Sequence, residues 1–133
     1  HTRLPAYEAQ YRFFFNPIRY TSLGLAVLEA MMIGLPIVGL ATTEMVSAVQ
    51  NGVNGFVHTD PDYLVAAMAE LLQDRDEAKR LSEGARRIAR ERFNIRRFTA
   101  DWERAFALVA GQASRAWPAH ELRGLNPLAS LTR

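Results

Sequence analysis

The stretch Tyr20-Thr21-Ser22-Leu23-Gly24-Leu25-Ala26-Val27-Leu28-Glu29-Ala30-Met31-Met32-Ile33-Gly34-Leu35-Pro36-Ile37-Val38 decides how the chain folds. A loop of small polar residues and a glycine leads into an apolar segment of helical length. Thr21 or Ser22 can cap that helix, Gly34 can end it, and Pro36 prevents its continuation. Pro36 to Ala41 is apolar and β-branched, which reads as a strand buried on both faces. Leu23 to Ala41 is also long enough to raise the question of a membrane span. Glu29, Pro36 and the three glycines Gly24, Gly34 and Gly39 within it fit a buried helix followed by a strand better.

Working outward, the aromatic run Tyr11 to Phe15, stopped by Asn16-Pro17, reads as a first strand. After the central strand, Thr42 or Thr43 caps a shorter helix through Gln50. Asn51-Gly52 and Asn54-Gly55 make a double turn, and Phe56 to His58 form a third strand, with His58 read as a loop residue at its end. Asp60-Pro61 opens a helix to about Gln73, with the Asp as cap and the Pro in the first turn. A helix from Asp76 to Phe93 follows, with Ala78, Leu81, Ala85, Ile88, Ala89 and Phe93 on its apolar face. A last helix from about Ile95 to Val109 is predicted to bury Phe98, Trp102, Ala105, Phe106 and Val109. Periodicity stops at Gly111.

Strands alternating with helices predict an α/β fold: a Rossmann-like parallel sheet with helices on both faces and a helical C-terminal part. About three strands make a thin sheet, and a doubly wound domain usually has five or six. Residues 1–110 therefore read as a partial Rossmann-like domain, and residues 111–133 as a loosely ordered tail. The chain opens on His1 and not on methionine, which is expected of a piece of something longer.

Composition excludes several classes. The 133 residues suffice for one domain, and 49% apolar with 23% charged residues is ordinary for a globular protein. There is no cysteine, hence no disulfide framework, thiolate metal site or thiol nucleophile. His1, His58 and His120 are too dispersed for a histidine-rich metal site, and no metal is expected. The opening His1-Thr2-Arg3-Leu4-Pro5 has no hydrophobic core segment and does not read as a secretory signal. Fifteen of the sixteen basic residues are Arg and one, Lys79, is Lys, a bias that a GC-rich bacterial coding habit explains. Residues 1–66 carry three Arg against five acids, and residues 67–133 carry thirteen basic residues against nine acids. Arg86, Arg87, Arg90, Arg92, Arg96 and Arg97 alternate with Glu83 and Glu91, the pattern of a solvated face, and no nucleic-acid partner is expected.

The chemistry concentrates at the start of the first long helix. Free N–H groups and the positive end of the helix dipole there make a seat for a diphosphate. Glu29 is the only charge on an otherwise apolar helix. It reads as a buried carboxylate, which without a partner costs several kcal/mol, so Glu29 is expected to meet either a cation or the hydroxyls of a ligand such as a ribose. Thr21 and Ser22 serve equally as helix caps or as ligand contacts. Arg12 and Arg19 flank the loop, and Arg19 is within sequence reach of a phosphate.

Tyr20 to Val38, followed by Asn51-Gly52-Val53-Asn54-Gly55-Phe56-Val57, resembles the C-terminal half of retaining glycosyltransferases with two Rossmann domains, glycosyltransferase family 4. The likeness runs from about Tyr11 to Phe106. It implies a nucleotide-diphosphate sugar as donor substrate, with no separate cofactor. Glu29 matches the Glu that holds the nucleotide ribose, and Leu23, Gly24 and Leu25 match the backbone that meets the diphosphate. Thr21 stands where the family's first Glu contacts the donor sugar, and Ser22 where a Gly usually follows. The frequent Gly-Gly after the next strand falls near Thr43-Glu44. The family's cationic diphosphate residues, an Arg and a Lys, lie upstream of this segment, so the chain alone is expected to lack the complete active site. The resemblance further implies an acceptor glycan or lipid-linked glycan, an N-terminal Rossmann domain as partner, and cytoplasmic work, peripheral at the inner face of the plasma membrane. The open sheet edge invites homo-oligomer formation. A non-catalytic Rossmann-like interaction module or degenerate transferase is the alternative, supported by Thr21. A nucleic-acid module on the Arg-rich helices is the weakest reading.

Overall fold

Three short segments bounded by turn residues become a three-stranded parallel sheet, with the most apolar of them, β2, in the middle. The structure, a computed structural model, describes residues 3–116. Its elements are α1 (Leu4–Glu8), β1 (Phe14–Asn16), α2 (Leu25–Ile33), β2 (Ile37–Leu40), α3 (Met45–Ala48), β3 (Gly55–His58), α4 (Pro61–Gln73), α5 (Arg75–Arg92) and α6 (Ile95–Ala116). Two compact units divide the chain, one ending at Asn94 and the other beginning at Ile95.

Within the first unit the strand order is β1-β2-β3, with Phe14 opposite Ile37 and Val38 opposite Phe56. Sequential parallel strands joined by right-handed crossovers put their connecting helices on one face. Accordingly α2 and α3 share a core with Ile37, Val57 and the second half of α5. The opposite face is covered by α4 and the start of α5, packed on Val38 and Leu40. The α/β class, the parallel sheet and the helices on both faces agree with the sequence reading. The segment Leu23 to Ala41 is a nine-residue helix and a four-residue strand. Among the described residues no helix is long and apolar enough to cross a membrane.

Turn chemistry sets most boundaries. Gly34 ends α2 at φ +90°, and Arg86 donates from Nε and Nη2 to the carbonyl of Ile33 there, at 3.3 and 2.9 Å. Asp60 accepts from the N–H of Asp62 at 2.9 Å, capping α4. Asp74 accepts from Asp76 and Glu77 at 2.9 Å each, capping α5. Gly52 at φ +73° forms the turn before β3, and buried Asn54 holds that turn through its amide group.

Several sequence expectations are corrected. The cap of α2 is Gly24 and the cap of α3 is Glu44, so neither Thr21, Ser22, Thr42 nor Thr43 caps a helix. Both helices begin later than the first hydroxyl residue because the loops before them are tied to each other instead. His58 ends β3 and is not a loop residue; its ring stacks on Tyr63 with centroids 4.5 Å apart. In the second unit, Phe98, Trp102, Phe106 and Val109 are exposed, not buried. Periodicity located a stripe, in which Phe98, Trp102 and Phe106 meet in turn at 6.1 and 5.3 Å, but a stripe alone does not supply a surface to bury it. Helix α6 continues past Gly111 to Ala116, and the rest of the predicted tail lies outside the described residues.

Gly84 gives a sign test of the packing. A Cβ there would lie 1.9 Å from the carbonyl oxygen of Val53, a backbone atom. Helix propensity favours Ala over Gly by about 1 kcal/mol at an interior position. The clash outweighs this, so Gly84→Ala is expected to lower stability by about 1–3 kcal/mol in chemical denaturation. A variant as stable as wild type would refute the close approach of α5 to the 51–54 turn.

Candidate functional site

The connections at the C-terminal ends of the strands converge on one rim. In open parallel sheets this is the end at which ligands bind. Here the rim consists of the β1–α2 loop (residues 17–24), the β2–α3 loop (residues 41–44) and the short β3–α4 link. Asn16, buried at the end of β1, starts the first loop: its Oδ1 accepts from the N–H of Ile18 at 3.2 Å, and its Nδ2 reaches Sδ of Met45 at 3.8 Å.

Two hydroxyls stitch the loops together. Thr43 Oγ1 donates to the carbonyl of Thr21 at 2.7 Å, and Thr42 Oγ1 donates to that of Ile18 at 3.4 Å. Thr43 does this at φ +41°, the one non-glycine residue of positive φ among the described residues. A β-branched side chain there costs about 1–2 kcal/mol. This is the position near which the resemblance has a frequent Gly-Gly, and the backbone conformation is the one that glycine suits. The substitution is visible in the sequence, but the loop-to-loop bond it makes is not, since it joins residues 22 apart.

The predicted site residues take up distinct places. Thr21 and Leu23 are half-buried, and Ser22 and Leu25 are exposed. Gly24 sits at the α2 N-terminus with φ −73° and ψ 147°, and no side chain caps the helix. Those angles are open to any residue, and a Cβ at Gly24 would meet nothing within 4 Å. Neither turn nor packing therefore requires glycine here. Its effect is to leave the first N–H groups of α2, those of Leu25 and Ala26, uncovered: neither has a hydrogen-bond partner among the described residues. The N–H of Val27 is bonded back to Gly24 at 3.1 Å.

Glu29 corrects an expectation. Its side chain is exposed, in the second turn of α2, while Val27, Ala30 and Met31 supply the buried stripe. A carboxylate in water carries no desolvation penalty, so burial gives no reason for a partner. Among the described residues it also has no ion pair or hydrogen bond. What remains is placement: Leu25 and Glu29, four residues apart, share the exposed face just beyond the open N–H groups.

The two arginines part company. Arg19 lines a cavity of about 280 Å³ with Phe15, Leu40, Leu64 and Met68, on the α4 side of the sheet. Arg12 precedes β1 and lies at the opposite end of the sheet, so it does not flank this loop in space. The Arg-rich face is partly structural: besides Arg86 at the end of α2, Arg92 donates from Nη1 to the carbonyl of Ser47 in α3.

Comparison with known proteins bears on this geometry. A family model described as Glycosyl transferases group 1 matches residues 1–74. The chain is 37% identical over 75 residues to the D-inositol 3-phosphate glycosyltransferase of Thermobispora bispora, covering 55% of this chain and 18% of that protein. Crystal structures of Anabaena HepE with UDP-glucose and with UDP resemble the chain with TM-scores of 0.63 and 0.61, each at 22% identity. They cover 80% and 83% of this chain and 30% of each HepE chain. At that identity the likeness is one of fold, the GT-B glycosyltransferase type. The chain thus spans under a third of the relatives it matches.

The Thr43 geometry yields a paired test. Thr43→Val keeps the strained angle and loses the bond to Thr21, and is expected to cost about 1 kcal/mol in thermal or urea unfolding. Thr43→Gly loses the same bond but releases the strain, and is expected to stay within about 1 kcal/mol of wild type. A glycine variant less stable than the valine variant would contradict this account.

Proposed function

The chain belongs to the glycosyl transferases group 1, and from that premise we propose that it is the donor-binding part of a retaining glycosyltransferase of family 4. The reaction moves a sugar from a nucleotide-diphosphate sugar to an acceptor hydroxyl with its anomeric configuration kept. The observation that carries this reading is the uncapped N-terminus of α2 with Glu29 one turn further along the same exposed face.

The two features suit two parts of one ligand. Charge builds on the leaving diphosphate in the transition state, and N–H groups fixed in place beforehand stabilise it without reorganising. The N–H groups of Leu25 and Ala26, with the positive end of the α2 dipole, supply such donors. Glu29 then accepts from the ribose hydroxyls. Ser22 and Leu23 form the wall of the loop beside the diphosphate. Thr21, whose carbonyl is held by Thr43, offers a hydroxyl and no charge toward the donor sugar. Further cations and the acceptor-binding surface, for a glycan or lipid-linked glycan, come from an N-terminal Rossmann domain and from sequence preceding this segment.

UDP is the first probe, because the Anabaena HepE structures hold UDP and UDP-glucose. Because Glu29 is exposed and unpaired among the described residues, Glu29→Ala is not expected to disturb folding. It is expected to weaken UDP binding by about 1.5–3 kcal/mol in titration calorimetry, the range for hydrogen bonds to a charged group. Equal affinities for wild type and variant would remove Glu29 from the site, and no heat from either would remove UDP as the nucleotide.

A further inference from the structure

The α5 sequence repeats Arg75, Lys79, Ser82 and Arg86 at intervals of four, three and four, which puts all of them on one helical face. That face is distinct from the buried one, Ala78, Leu81, Ala85 and Ile88. It borders a cavity of about 340 Å³, to which Arg12 and Tyr11 contribute from the segment before β1. The cavity lies at the C-terminal end of α2, beside Gly34, and so at the opposite end of the sheet from Gly24. Nine residues of helix separate the two places, about 13 Å at 1.5 Å per residue.

Four cations surround this cavity and no carboxylate lines it. The side chains of Arg12, Arg75 and Lys79 have no ion pair or hydrogen bond among the described residues. Arg86 is anchored through Nε and Nη2 on the carbonyl of Ile33, which fixes it at the rim. Asp74 and Asp76 flank Arg75 in sequence; Asp74 is committed to the first N–H groups of α5, and Asp76 forms no ion pair among the described residues. Gathering four like charges around one concavity is unfavourable, and no carboxylate among its lining residues offsets it; Glu83, beside Arg86 on the neighbouring face of α5, forms no ion pair with any of the four among the described residues. Arg75 is also the first residue of an 18-residue helix, whose dipole adds positive potential at that corner. A monoanion would leave most of the charge unbalanced, whereas a dianion with several oxygens matches the guanidinium forks.

We propose that this cavity is a second anion site, separate from the donor site, which takes a phosphate-bearing ligand of at least two negative charges. The phosphate belongs either to a soluble compound or to a phospholipid headgroup, since the chemistry is shared. The donor-site reading is not needed for it.

Amide NMR of the chain titrated with inorganic pyrophosphate tests the site. Saturable shifts are expected at Gly34, Leu35 and Arg75 to Ser82, apart from any at Gly24 to Ala26. The double variant Arg75→Gln, Lys79→Gln, at exposed positions, is expected to weaken those shifts about tenfold or more with the fold unchanged by circular dichroism. Arg75→Lys with Lys79→Arg, which keeps the charges, is expected to retain binding. In a second arm, vesicles of phosphatidylcholine with cardiolipin, whose headgroup carries two phosphates, are compared with phosphatidylcholine alone by co-sedimentation. Binding to the anionic vesicles that the Gln variant loses assigns a lipid headgroup, and pyrophosphate binding without vesicle binding assigns a soluble ligand. Shifts confined to Gly24 to Ala26, an unchanged affinity in the Gln variant, or no binding in either arm would overturn the proposal.

Discussion

Strand β2 is the constraint on which the rest depends. It is hydrogen-bonded on both edges and buried on both faces, with Ile37 and Val38 fully out of water. A parallel strand in that position needs helices above and below it. The pleat then assigns partners: Ile37 turns to α2, α3 and the second half of α5, and Val38 and Leu40 turn to α4. Neighbouring strands must also come close. A Cβ at Gly55 would lie 2.0 Å from the carbonyl oxygen of Ile37, and one at Gly39 would lie 2.9 Å from that of Asn16. Small residues at these points let β1 and β3 hold β2 in register, and only then do the loops at its two ends come to face their neighbours.

Each end of this sheet acquires a different electrostatic character from the helices that β2 organises. At the C-terminal ends of the strands, α2 begins with uncapped N–H groups and no basic side chain of its own. At the N-terminal ends, α2 finishes, and its last carbonyls attract Arg86 from α5. The same logic brings Arg92 to the end of α3. Cations at helix C-termini are the ordinary response to the dipole. They explain part of the Arg-rich segment without any external partner, yet Arg75 and Lys79 are not explained this way, because they stand at the start of α5.

Local chemistry was the legible part of the sequence. Gly34 with Pro36, Asp60-Pro61 and the Asn51 to Gly55 turn each carry a residue whose backbone or capping preference is strong, and each marks a boundary as read. Burial was less legible. Helix α2 is apolar on almost every side, so its pattern does not say which side meets the sheet, and Glu29 was assigned to the interior for that reason. Its neighbours decide otherwise: Val27, Ala30 and Met31 face the core and Glu29 faces water. The aromatic stripe of α6 failed in the complementary way, since its periodicity is correct and its burial is not. At the candidate site, residue type and spacing single out the glycine and the carboxylate, whereas Thr42 and Thr43 match the cap pattern without capping a helix. A hydroxyl before a helix satisfies the cap pattern whether it bonds forward to that helix or across to another loop.

That cross-loop bond changes how the departures from the family pattern should be weighed. Thr21 in place of a Glu, and Thr43 near a position of frequent glycine, count separately as two signs of a degraded site. In space they meet: the hydroxyl of Thr43 donates to the carbonyl of Thr21. A glycine at Thr43 would adopt φ +41° without strain but would leave that carbonyl without this donor. The threonine accepts an unfavourable angle and in return fixes the loop that leads to Gly24. The acceptor is a backbone carbonyl, which any residue at position 21 would present, so the bond depends on Thr43 and not on the side chain of Thr21. What the pair of departures leaves in common is a restraint: the hydroxyl of Thr43 ties the loop at residues 41–44 to the loop at residues 17–24, whatever side chain residue 21 carries.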